Sequence, residues 1–571
     1  MVSMGEMEAG EILLRRGLID ANQLQASREA DGKGGVELLW KMVDFGYVRE
    51  YEALQCLGNE VGVEFIELGS YEVDLGILGS FPQKLIYRSN IFPLARRDGG
   101  VVVATSDPFD LYPLDEASAA TGLPVYPVLA ERGEIAKLIK RHLGVGGETV
   151  EGLIEAREDD DEVELLDEIE TDGSELSEMA LEASVVRLVN EILMEAIDSR
   201  SSDVHIESQG SGLVVRYRID GILHTQPVPP EINHFQAAII SRLKIMARLN
   251  IAEKRLPQDG RIKLKVHGRE VDVRVSVIPM IHGESIVMRI LDKGAVVFDL
   301  KKLGMEADTF KVFEKLIAMP HGIILVTGPT GSGKTTTLYS SLLRINSPDT
   351  KIITTEDPIE YQLEGINQIQ VQHKVGLTFA ACLRAILRHD PDVVLVGEIR
   401  DLETAENATQ ASLTGHLVFS KLHTNDAAGA FMRLCDMGVE PFLVSSTVEG
   451  IMAQRLVRRL CPDCREQYIP EPTDLPADFP MEAFEAQGGH LYRNRGCDSC
   501  RNTGYRGRMG IYELLTASDE VRALASQRAA STEIKAAAIR AGMRTLRDDG
   551  WAKCLKGVTT VDEVLRVTKA D

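Results

Sequence analysis

The sequence predicts a multidomain α/β protein whose C-terminal half contains a parallel β-sheet. A glycine-rich loop, Gly328–Thr335, follows the apolar run Ile323–Val326 and precedes a helix-forming segment, Thr336–Leu343. From about residue 300 to about residue 455, short apolar runs alternate with helix-like segments, a pattern typical of a parallel sheet flanked by helices. Two Cys-x-x-Cys pairs follow and predict a small metal-binding subdomain.

The size and charge of the chain restrict the classes of protein to which it can belong. Its 571 residues correspond to roughly four domains at about 150 residues each. The net charge is −24, whereas a protein that binds nucleic acid directly is usually basic because it must contact phosphates. We therefore expect no direct nucleic-acid partner.

The sequence also suggests a location. The first residues are acidic and lack the continuous apolar core of a signal peptide. No apolar run approaches the length of about 18 residues that a membrane-spanning helix needs. We expect a cytoplasmic protein whose membrane association is peripheral.

The N-terminal part of the chain divides into two regions. Residues 1–145 predict a docking region, with a helical part followed by a small α/β module, because no chemical motif occurs there. Residues 146–182 predict a flexible, extended linker. Nine acidic residues lie between Glu158 and Glu170, and such a block repels itself and resists packing.

Two further regions complete the predicted organisation. Residues 183–296 predict a middle domain with a mostly antiparallel sheet, a helix near Phe235–Leu249 and a helix at Val185–Ile197. Its predicted strands are Leu213–Ile219, Ile262–Val266, Val271–Val277 and Ser285–Leu291. Residues 297–571 predict the parallel-sheet domain, including a cysteine-containing subdomain at about 455–512.

The glycine-rich loop predicts a nucleotide-binding site. It matches the full Gly-x-x-x-x-Gly-Lys-[Ser/Thr] pattern in the required strand–loop–helix context. Backbone N–H groups of such a loop cradle phosphate oxygens, the lysine reaches the β- and γ-phosphates, and the hydroxyl after it binds Mg²⁺. We therefore expect ATP and magnesium as ligands. The predicted nucleotide-binding residues are Gly328, Pro329, Thr330, Gly331, Ser332, Gly333, Lys334, Thr335 and Thr336.

Two later strands end in acidic residues that could serve this site. The apolar run Val393–Val396 leads to Glu398, which stands where P-loop proteins place a second magnesium group, so Thr335 and Glu398 are the predicted magnesium ligands. The strand Ile352–Glu356 also ends in an acid. By spacing alone, Glu356 is equally compatible with activating water and with capping a strand end.

A third strand is flanked by His416 and His423. The pair lacks the spacing of metal ligands. A sensor role near the γ-phosphate and a purely structural role both remain open.

The cysteine pairs predict a structural zinc site. Cys461 and Cys464 are separated by 32 residues from Cys497 and Cys500. Two such pairs can supply four thiolates in a tetrahedron, which leaves no open coordination position. A redox role is the alternative, and the pairing of the motifs argues against it.

The motifs together resemble those of the secretion ATPase superfamily over nearly the whole chain. After the P-loop come an aspartate box, Ile352–Tyr361, a Walker B segment with Glu398, and a histidine box, Thr414–Asn425. Upstream, the segments 201–207 and 252–261 resemble the middle domain of this family. The resemblance implies a RecA-like P-loop ATPase core and a PAS-like middle domain.

The resemblance also implies roles for individual residues. Glu356 would activate water, Glu398 would position Mg²⁺, and His416 and His423 would orient or sense the nucleotide. Arg261 and Arg274, with Arg289 as a further candidate, would act as arginine fingers. The family works as a homohexameric ring, in which such arginines can reach a neighbouring subunit.

Within the superfamily, the chain resembles type II secretion system ATPases and is close to type IV pilus assembly ATPases. Segments 433–443, 453–458 and 547–551 favour the type II branch. The implied function is an ATP-hydrolysing motor that powers pseudopilus assembly and protein export. Its implied partners are an inner-membrane platform protein and a membrane-anchored docking protein. A pilus extension ATPase, a non-hydrolysing nucleotide switch or scaffold and a DNA transport motor are the alternatives.

Two departures from the family pattern stand out. Lys421 occupies a position in the histidine box where the family usually has threonine, and it could alter the charge of the site or point outward. Relatives that bind cyclic-di-GMP have arginine and glutamine at the ends of two N-terminal repeats. The matching positions here are Glu8, Asp31, Glu37 and Glu60. Because acids repel phosphates, we expect no cyclic-di-GMP binding.

Overall fold

The computed structural model describes residues 9–31, 36–71, 73–79, 81–143, 163–165, 183–292 and 298–569. The chain divides into two compact units, Met1–Asp292 and Lys293–Asp571. Among the described residues, no helix is both long enough and apolar enough to cross a membrane.

The N-terminal region starts with four short helices that pack around one apolar cluster. They bury residues such as Leu13, Leu39 and Leu54 completely. These helices are α1 (Ala9–Arg15), α2 (Ala21–Asp31), α3 (Val36–Asp44) and α4 (Glu50–Val61).

A small α/β module follows, as the sequence predicts. Its sheet has the order β1-β2-β3, with an antiparallel and a parallel pairing. Its strands are β1 (Phe92–Arg97), β2 (Gly100–Thr105) and β3 (Val125–Leu129). Its helices are α5 (Gln83–Ser89), α6 (Tyr112–Thr121) and α7 (Arg132–Leu143).

The middle region contains a seven-stranded antiparallel sheet of order β4-β8-β9-β10-β5-β6-β7. Its apolar residues alternate with polar ones and pack with two helices, α8 (Ala183–Asp198) and α9 (Gln236–Met246). The strands are β4 (Val163–Leu165), β5 (Ser201–Gln209), β6 (Gly212–Ile219), β7 (Ile222–Gln226), β8 (Gln258–Val266), β9 (Arg269–Met280) and β10 (Gly283–Asp292).

Three residues of the predicted acidic linker belong to this sheet. Val163–Leu165 form β4, which pairs antiparallel with β8 from Val163 opposite Val266 to Leu165 opposite Leu264. This corrects the prediction of a flexible spacer for these residues, because their backbone pairs with β8 and forms the edge strand of the sheet. The rest of the predicted linker lies outside the described residues.

The C-terminal unit is built on a second seven-stranded sheet, of order β13-β12-β14-β15-β11-β16-β19. All neighbours are parallel except β16 and β19. The strands are β11 (Gly322–Thr327), β12 (Ile352–Glu356), β13 (Asn367–Gln370), β14 (Val393–Val396), β15 (Leu417–Leu422), β16 (Val448–Leu460) and β19 (Tyr505–Thr516).

Helices surround this sheet, and the apolar residues between them form two large clusters. The helices preceding the cysteine subdomain are α10 (Ala307–Ile317), α11 (Lys334–Ile345), α12 (Phe379–Ile386), α13 (Leu402–Leu413), α14 (Ala428–Asp436) and α15 (Pro441–Thr447). Those near and after it are α16 (Met481–Ala486), α17 (Asp519–Ser526), α18 (Ser531–Arg540), α19 (Leu546–Leu555) and α20 (Val561–Val567).

The cysteine subdomain is inserted between β16 and β19. A two-stranded sheet, β17 (Glu466–Tyr468) with β18 (Leu491–Arg493), lies between the two cysteine pairs. The arrangement confirms the fold class that the sequence predicts: an α/β core with a tetracysteine insert and a small α/β module upstream.

Candidate nucleotide and metal sites

The P-loop lies at the carboxyl end of β11, where the sequence predicts it. All six residues of β11 are buried, and α11 begins at Lys334 directly after the loop. Gly328 has a φ of +147°, and a Cβ there would lie 2.5 Å from the carbonyl oxygen of Gln454. Only glycine therefore fits at this approach of the loop to β16.

The loop presents groups suited to phosphate. Pro329, Thr330 and Gly331 are exposed, and the first-turn N–H groups of α11 point toward the loop as in other helix N-termini. The buried Oγ of Ser332 has no hydrogen-bond partner among the described residues. Buried polar atoms normally find a partner, so this hydroxyl is consistent with a site that receives a polar ligand.

Lys334 is folded back onto its own loop. Its Nζ donates to the carbonyl oxygens of Gly328 at 2.7 Å and Pro329 at 2.9 Å. Burial, reinforced by the positive charges of Lys421 and Arg455, lowers the pKa of Lys334 to about 8. A bound phosphate would give this ammonium group a negatively charged partner.

Thr335 is in contact with Lys421, the residue that departs from the family pattern. The Nζ of Lys421 donates to Thr335 Oγ1 at 2.9 Å. Lys421 points into the site and is partly buried. This settles one of the two alternatives left open by the sequence: the side chain does not point outward.

Glu356 ends β12 and is buried, with 2% of its surface exposed. Three side chains donate to its carboxylate: Tyr339, Thr354 at 2.7 Å and Gln368 at 3.0 Å. Because Tyr339 belongs to α11, the acid is tied to the helix that follows the P-loop. These bonds fix the orientation of the carboxylate.

Glu398 follows β14 by two residues and faces the same edge of the sheet. Its carboxylate pairs with Arg400 at 2.7 Å and lies 3.4 Å from Nε2 of His423. Only 13% of the Glu398 side chain is exposed. Burial and the nearby Lys334 lower the pKa of His423, whereas Glu398 acts to raise it.

The two histidines of the predicted pair lie at opposite edges of the sheet. His416 precedes β15, and its Nδ1 lies 2.9 Å from the carbonyl oxygen of Ala411 and 3.1 Å from Thr414 Oγ1. A strand of six residues separates it from His423, which is roughly 20 Å at the usual rise per residue. Within one chain, β15 therefore brings His423 to the end of the sheet that carries the P-loop and leaves His416 at the other end.

The predicted magnesium groups fit a hard cation. Thr335 offers a hydroxyl and Glu398 offers a carboxylate, and oxygen donors of this kind suit Mg²⁺. An ammonium group, that of Lys421, already lies against the Thr335 hydroxyl. The residues at this position therefore accommodate a cation.

The predicted arginine fingers form a row across three strands of the middle sheet. Arg274 on β9 stands directly opposite Arg261 on β8 and Arg289 on β10. Arg261 pairs with Asp272 at 3.1 Å, and Arg289 pairs with Asp203 at 3.0 Å. Like charges directly opposite each other destabilise a sheet, and the carboxylates of Asp272 and Asp203 offset part of that repulsion.

The four predicted cysteine ligands converge, and their sulfur atoms all lie within 4.8 Å of one another. Sγ of Cys461 is 3.9 Å from that of Cys497, and Sγ of Cys464 is 3.8 Å from that of Cys500. A tetrahedron of thiolates at the usual Zn–S bond length has edges of about 3.8 Å. The backbone N–H groups of Cys497 and Gly504 each donate to Cys500 Sγ at 3.2 Å. The residues thus fit a tetrahedral metal site.

Several site residues were missed by the sequence argument. Tyr339 and Gln368 hold Glu356, Arg400 pairs with Glu398, and Gln454 accepts from Thr337 at 2.7 Å. Arg400 lies within the Walker B segment, so the spacing could have indicated it. The other three come from separate elements, and no local pattern marks them.

A P-loop whose lysine, hydroxyl and acids meet at the carboxyl edge of a parallel sheet defines a P-loop nucleotide-binding protein. Comparison with known proteins identifies the family to which the chain belongs. The chain belongs to the family described as type II/IV secretion system proteins, whose profile matches residues 178–566. A second profile, that of the MshEN domain, matches residues 61–149.

Relatives match almost the whole chain. Type II secretion system protein E of Xanthomonas campestris pv. campestris is 45% identical over 564 residues, 98% of both chains. The type IV pilus assembly ATPase PilB of Myxococcus xanthus is 42% identical, over 98% of this chain and 99% of its own. Among solved structures, the pilus retraction motor PilT with bound ADP is 28% identical, covering 66% of this chain and 96% of its own, with a TM-score of 0.44.

Proposed function

We propose that the chain is the ATP-hydrolysing motor of a type II secretion system, which powers pseudopilus assembly and protein export. One observation supports this most strongly: a P-loop, a magnesium hydroxyl and two strand-end acids meet in a chain that is 45% identical over 98% of its length to a type II secretion system protein E. The reaction is hydrolysis of ATP to ADP and phosphate.

Each group at the site has a role in this proposal. Loop N–H groups and Lys334 bind the β- and γ-phosphates, and Thr335 and Glu398 would hold Mg²⁺. Magnesium, when bound, would neutralise charge on the phosphates. Glu356, oriented by Tyr339, Thr354 and Gln368, accepts a proton from the attacking water. His423 contacts Glu398 and orients the nucleotide.

We propose that the arginine row supplies further positive charge to the nucleotide site. Arg261 and Arg274 neutralise negative charge that develops on the phosphoryl group, and they act on the site of a neighbouring subunit. This requires a closed ring, and we propose a homohexamer. The strand register, which lines up three arginines on neighbouring strands, supports such a role.

The proposed partners follow from the proposed machine. They are an inner-membrane platform protein and a membrane-anchored protein to which residues 1–145 bind. The protein would then work on the cytoplasmic side of the inner membrane and associate with it peripherally. A type IV pilus extension motor is the second candidate, because PilB of Myxococcus xanthus matches at 42% identity over 98% of this chain.

Zinc is the metal that we propose for the four cysteines, in a structural role. Three of the sulfur–sulfur distances, which are 3.7 to 3.9 Å, support it. Four thiolates occupy every position of a tetrahedral ion. No position is then left for a substrate.

The prediction that cyclic-di-GMP does not bind stays a prediction. The MshEN match weighs against it, but that match begins at residue 61, after the four acidic positions. Of these, Glu60 accepts from Arg15 at 3.1 Å and from Arg16 at 2.9 Å. An acid at this position thus pairs with two arginines of the same region.

The proposed function is tested by hydrolysis and binding measured on the same variants. We expect Glu356→Gln to bind ATP as wild type does but to hydrolyse it about 10²- to 10³-fold more slowly, because the proton acceptor is lost. Glu364→Gln, at an exposed position just beyond the aspartate box, is the matched control and keeps full activity. ATP binding without hydrolysis in the wild type and both variants, at concentrations that form rings, would favour the nucleotide switch instead.

A further inference from the structure

Lys421 is placed in the nucleotide site by β15. This strand is parallel to β11, and Lys421 pairs with Val326, two residues before the P-loop begins. Its neighbour Ser420 is fully buried and donates to the carbonyl oxygen of Val396. The strand end is therefore fixed between β11 and β14. From there the Lys421 side chain reaches the first turn of α11.

The contact made by Lys421 uses an oxygen that the proposed function assigns to magnesium. An ammonium group has only donors, so Thr335 Oγ1 must be the acceptor in the 2.9 Å bond. A lone pair of that hydroxyl is then directed at a positive charge. The lysine thus stands where a cation is expected.

The surroundings of Lys421 are acidic. Burial lowers the pKa of Lys421, and the carboxylates of Glu356, Glu360 and Glu398 act in the opposite direction. Carboxylates that are withdrawn from water near one another are costly without a compensating cation. The ammonium group of Lys421 supplies one positive charge that partly compensates these three carboxylates.

The same charge also lies near Lys334, the other cation of the site. Two ammonium groups close together repel each other, and a polyphosphate between them would relieve that repulsion. Lys421 can therefore favour the binding of ATP even when the nucleotide has no metal ion attached. A threonine at this position would offer neither the charge nor the reach.

We propose that Lys421 is a built-in cation of the nucleotide site, which holds the Thr335 hydroxyl and makes the binding of ATP less dependent on magnesium. This inference rests on the proposed function and identifies a further binding residue of the same site.

The test compares the dissociation constants of a fluorescent ATP analogue in excess Mg²⁺ and in EDTA, for the full-length chain. We expect wild type to retain binding in EDTA. We expect Lys421→Thr to lose about tenfold more affinity on removal of magnesium than wild type does. Lys421→Met, which keeps the length of the side chain without its charge, should behave as Lys421→Thr does, and Lys421→Arg should behave as wild type does.

Controls separate this inference from the proposed function. Lys311→Thr, at an exposed position on α10, should match wild type in both conditions. Equal losses in wild type and Lys421→Met, or no binding by wild type in EDTA, would overturn the role of Lys421 alone. The result for wild type in EDTA is measured without any variant, so it does not depend on whether a variant folds. Failure of wild type to bind the analogue in excess Mg²⁺ would overturn the proposed function itself.

Discussion

At the scale of single residues, Glu563 shows how the C-terminal unit buries a charged group together with its partners. Glu563, with 2% of its side chain exposed, accepts from Arg458 at 2.6 Å and Arg566 at 2.8 Å. The Arg458 guanidinium also stacks on the ring of Tyr505 at 4.0 Å. This cluster attaches α20 to β16, directly before the first cysteine of the metal site.

The Glu563 cluster predicts a pH-dependent contribution to stability. Burial acts to raise the pKa of Glu563, but the hydrogen bonds from Arg566 and Arg458 outweigh it and lower the pKa to about 2. A carboxyl group whose pKa is depressed on folding stabilises the protein above its unfolded pKa, about 4.5, and that contribution is lost between pH 4.5 and pH 2. Because 40% of the Arg566 side chain is exposed and water screens that pair, we expect about 2 kcal/mol.

The comparison of wild type with Glu563→Gln measures this contribution. We expect a lower unfolding midpoint for the variant at pH 7 and a smaller difference between the two proteins at pH 3.5. Changes that acid causes in both proteins cancel in the difference. Glu406→Gln, at an exposed position beyond the first turn of α13, should show no difference at either pH. A gap that does not shrink on acidification would contradict the role of the carboxylate charge.

At the scale of elements, a single strand determines much of the site. β15 carries Lys421 to the P-loop and is followed by His423, while its other end leaves His416 at the opposite edge. β11 and β14 flank it and bring the P-loop and Glu398 to the same edge. Parallel pairing therefore selects which polar residues can act together.

The cysteine subdomain is the element whose stability should depend most on a metal. Its own β-structure is one two-stranded sheet, β17 with β18, and such a pair is marginally stable alone. We expect one zinc ion per chain in wild type and less than about a tenth of that in Cys461→Ser, because a thiolate ligand is lost. Metal content by mass spectrometry and the unfolding midpoint, before and after chelation, measure both effects.

The matched control for that variant is Cys435→Ser. Cys435 is a buried thiol in α14 and is not one of the four converging cysteines. Its variant should keep the full metal content. Wild type with much less than one zinc ion per chain, or Cys461→Ser with unchanged metal, would contradict the structural zinc site.

At the scale of the whole molecule, the proposed catalytic groups are divided between two compact units. The arginine row belongs to Met1–Asp292 and the P-loop to Lys293–Asp571. If the arginines serve a neighbouring subunit, one defective chain should complement another. An oligomeric ring makes this possible because every interface pairs two different chains.

Complementation between Arg274→Ala and Lys334→Ala tests this arrangement. We expect each variant to be nearly inactive alone, because loss of an arginine finger costs about 10³-fold or more and loss of Lys334 removes the phosphate contact. Mixed rings should recover ATP hydrolysis, at up to roughly a quarter of their interfaces. There, an intact P-loop in one chain meets an intact Arg274 in the next.

A matched mixture shows whether the recovery comes from the arginine. Arg274→Ala combined with the double variant Arg274→Ala/Lys334→Ala offers intact P-loops but no Arg274, so it should stay inactive. Native mass spectrometry would verify that the chains exchange. Exchange without recovery in the first mixture would indicate that the arginines act within their own chain.

The sequence by itself determined the contiguous features of this protein. The P-loop, the Cys-x-x-Cys pairs and the strands ending at Glu356 and Val396 lie where the sequence predicts them. A glycine pattern fixes a loop between a strand and a helix, and the spacing within a cysteine pair fixes a metal knuckle. Such features depend on neighbours along the chain, so the order of residues suffices to specify them.

Only the tertiary structure decided which distant residues meet. Lys421 could point toward the site or away from it until the pairing of β15 with β11 placed its Nζ on Thr335. The parallel direction of β15 brought His423, and not His416, to the end of the sheet that carries the P-loop. The register of β8, β9 and β10 aligned the three arginines. The physical reason is that strand order, direction and register arise from burying apolar faces across the whole sheet, which no local stretch of sequence determines.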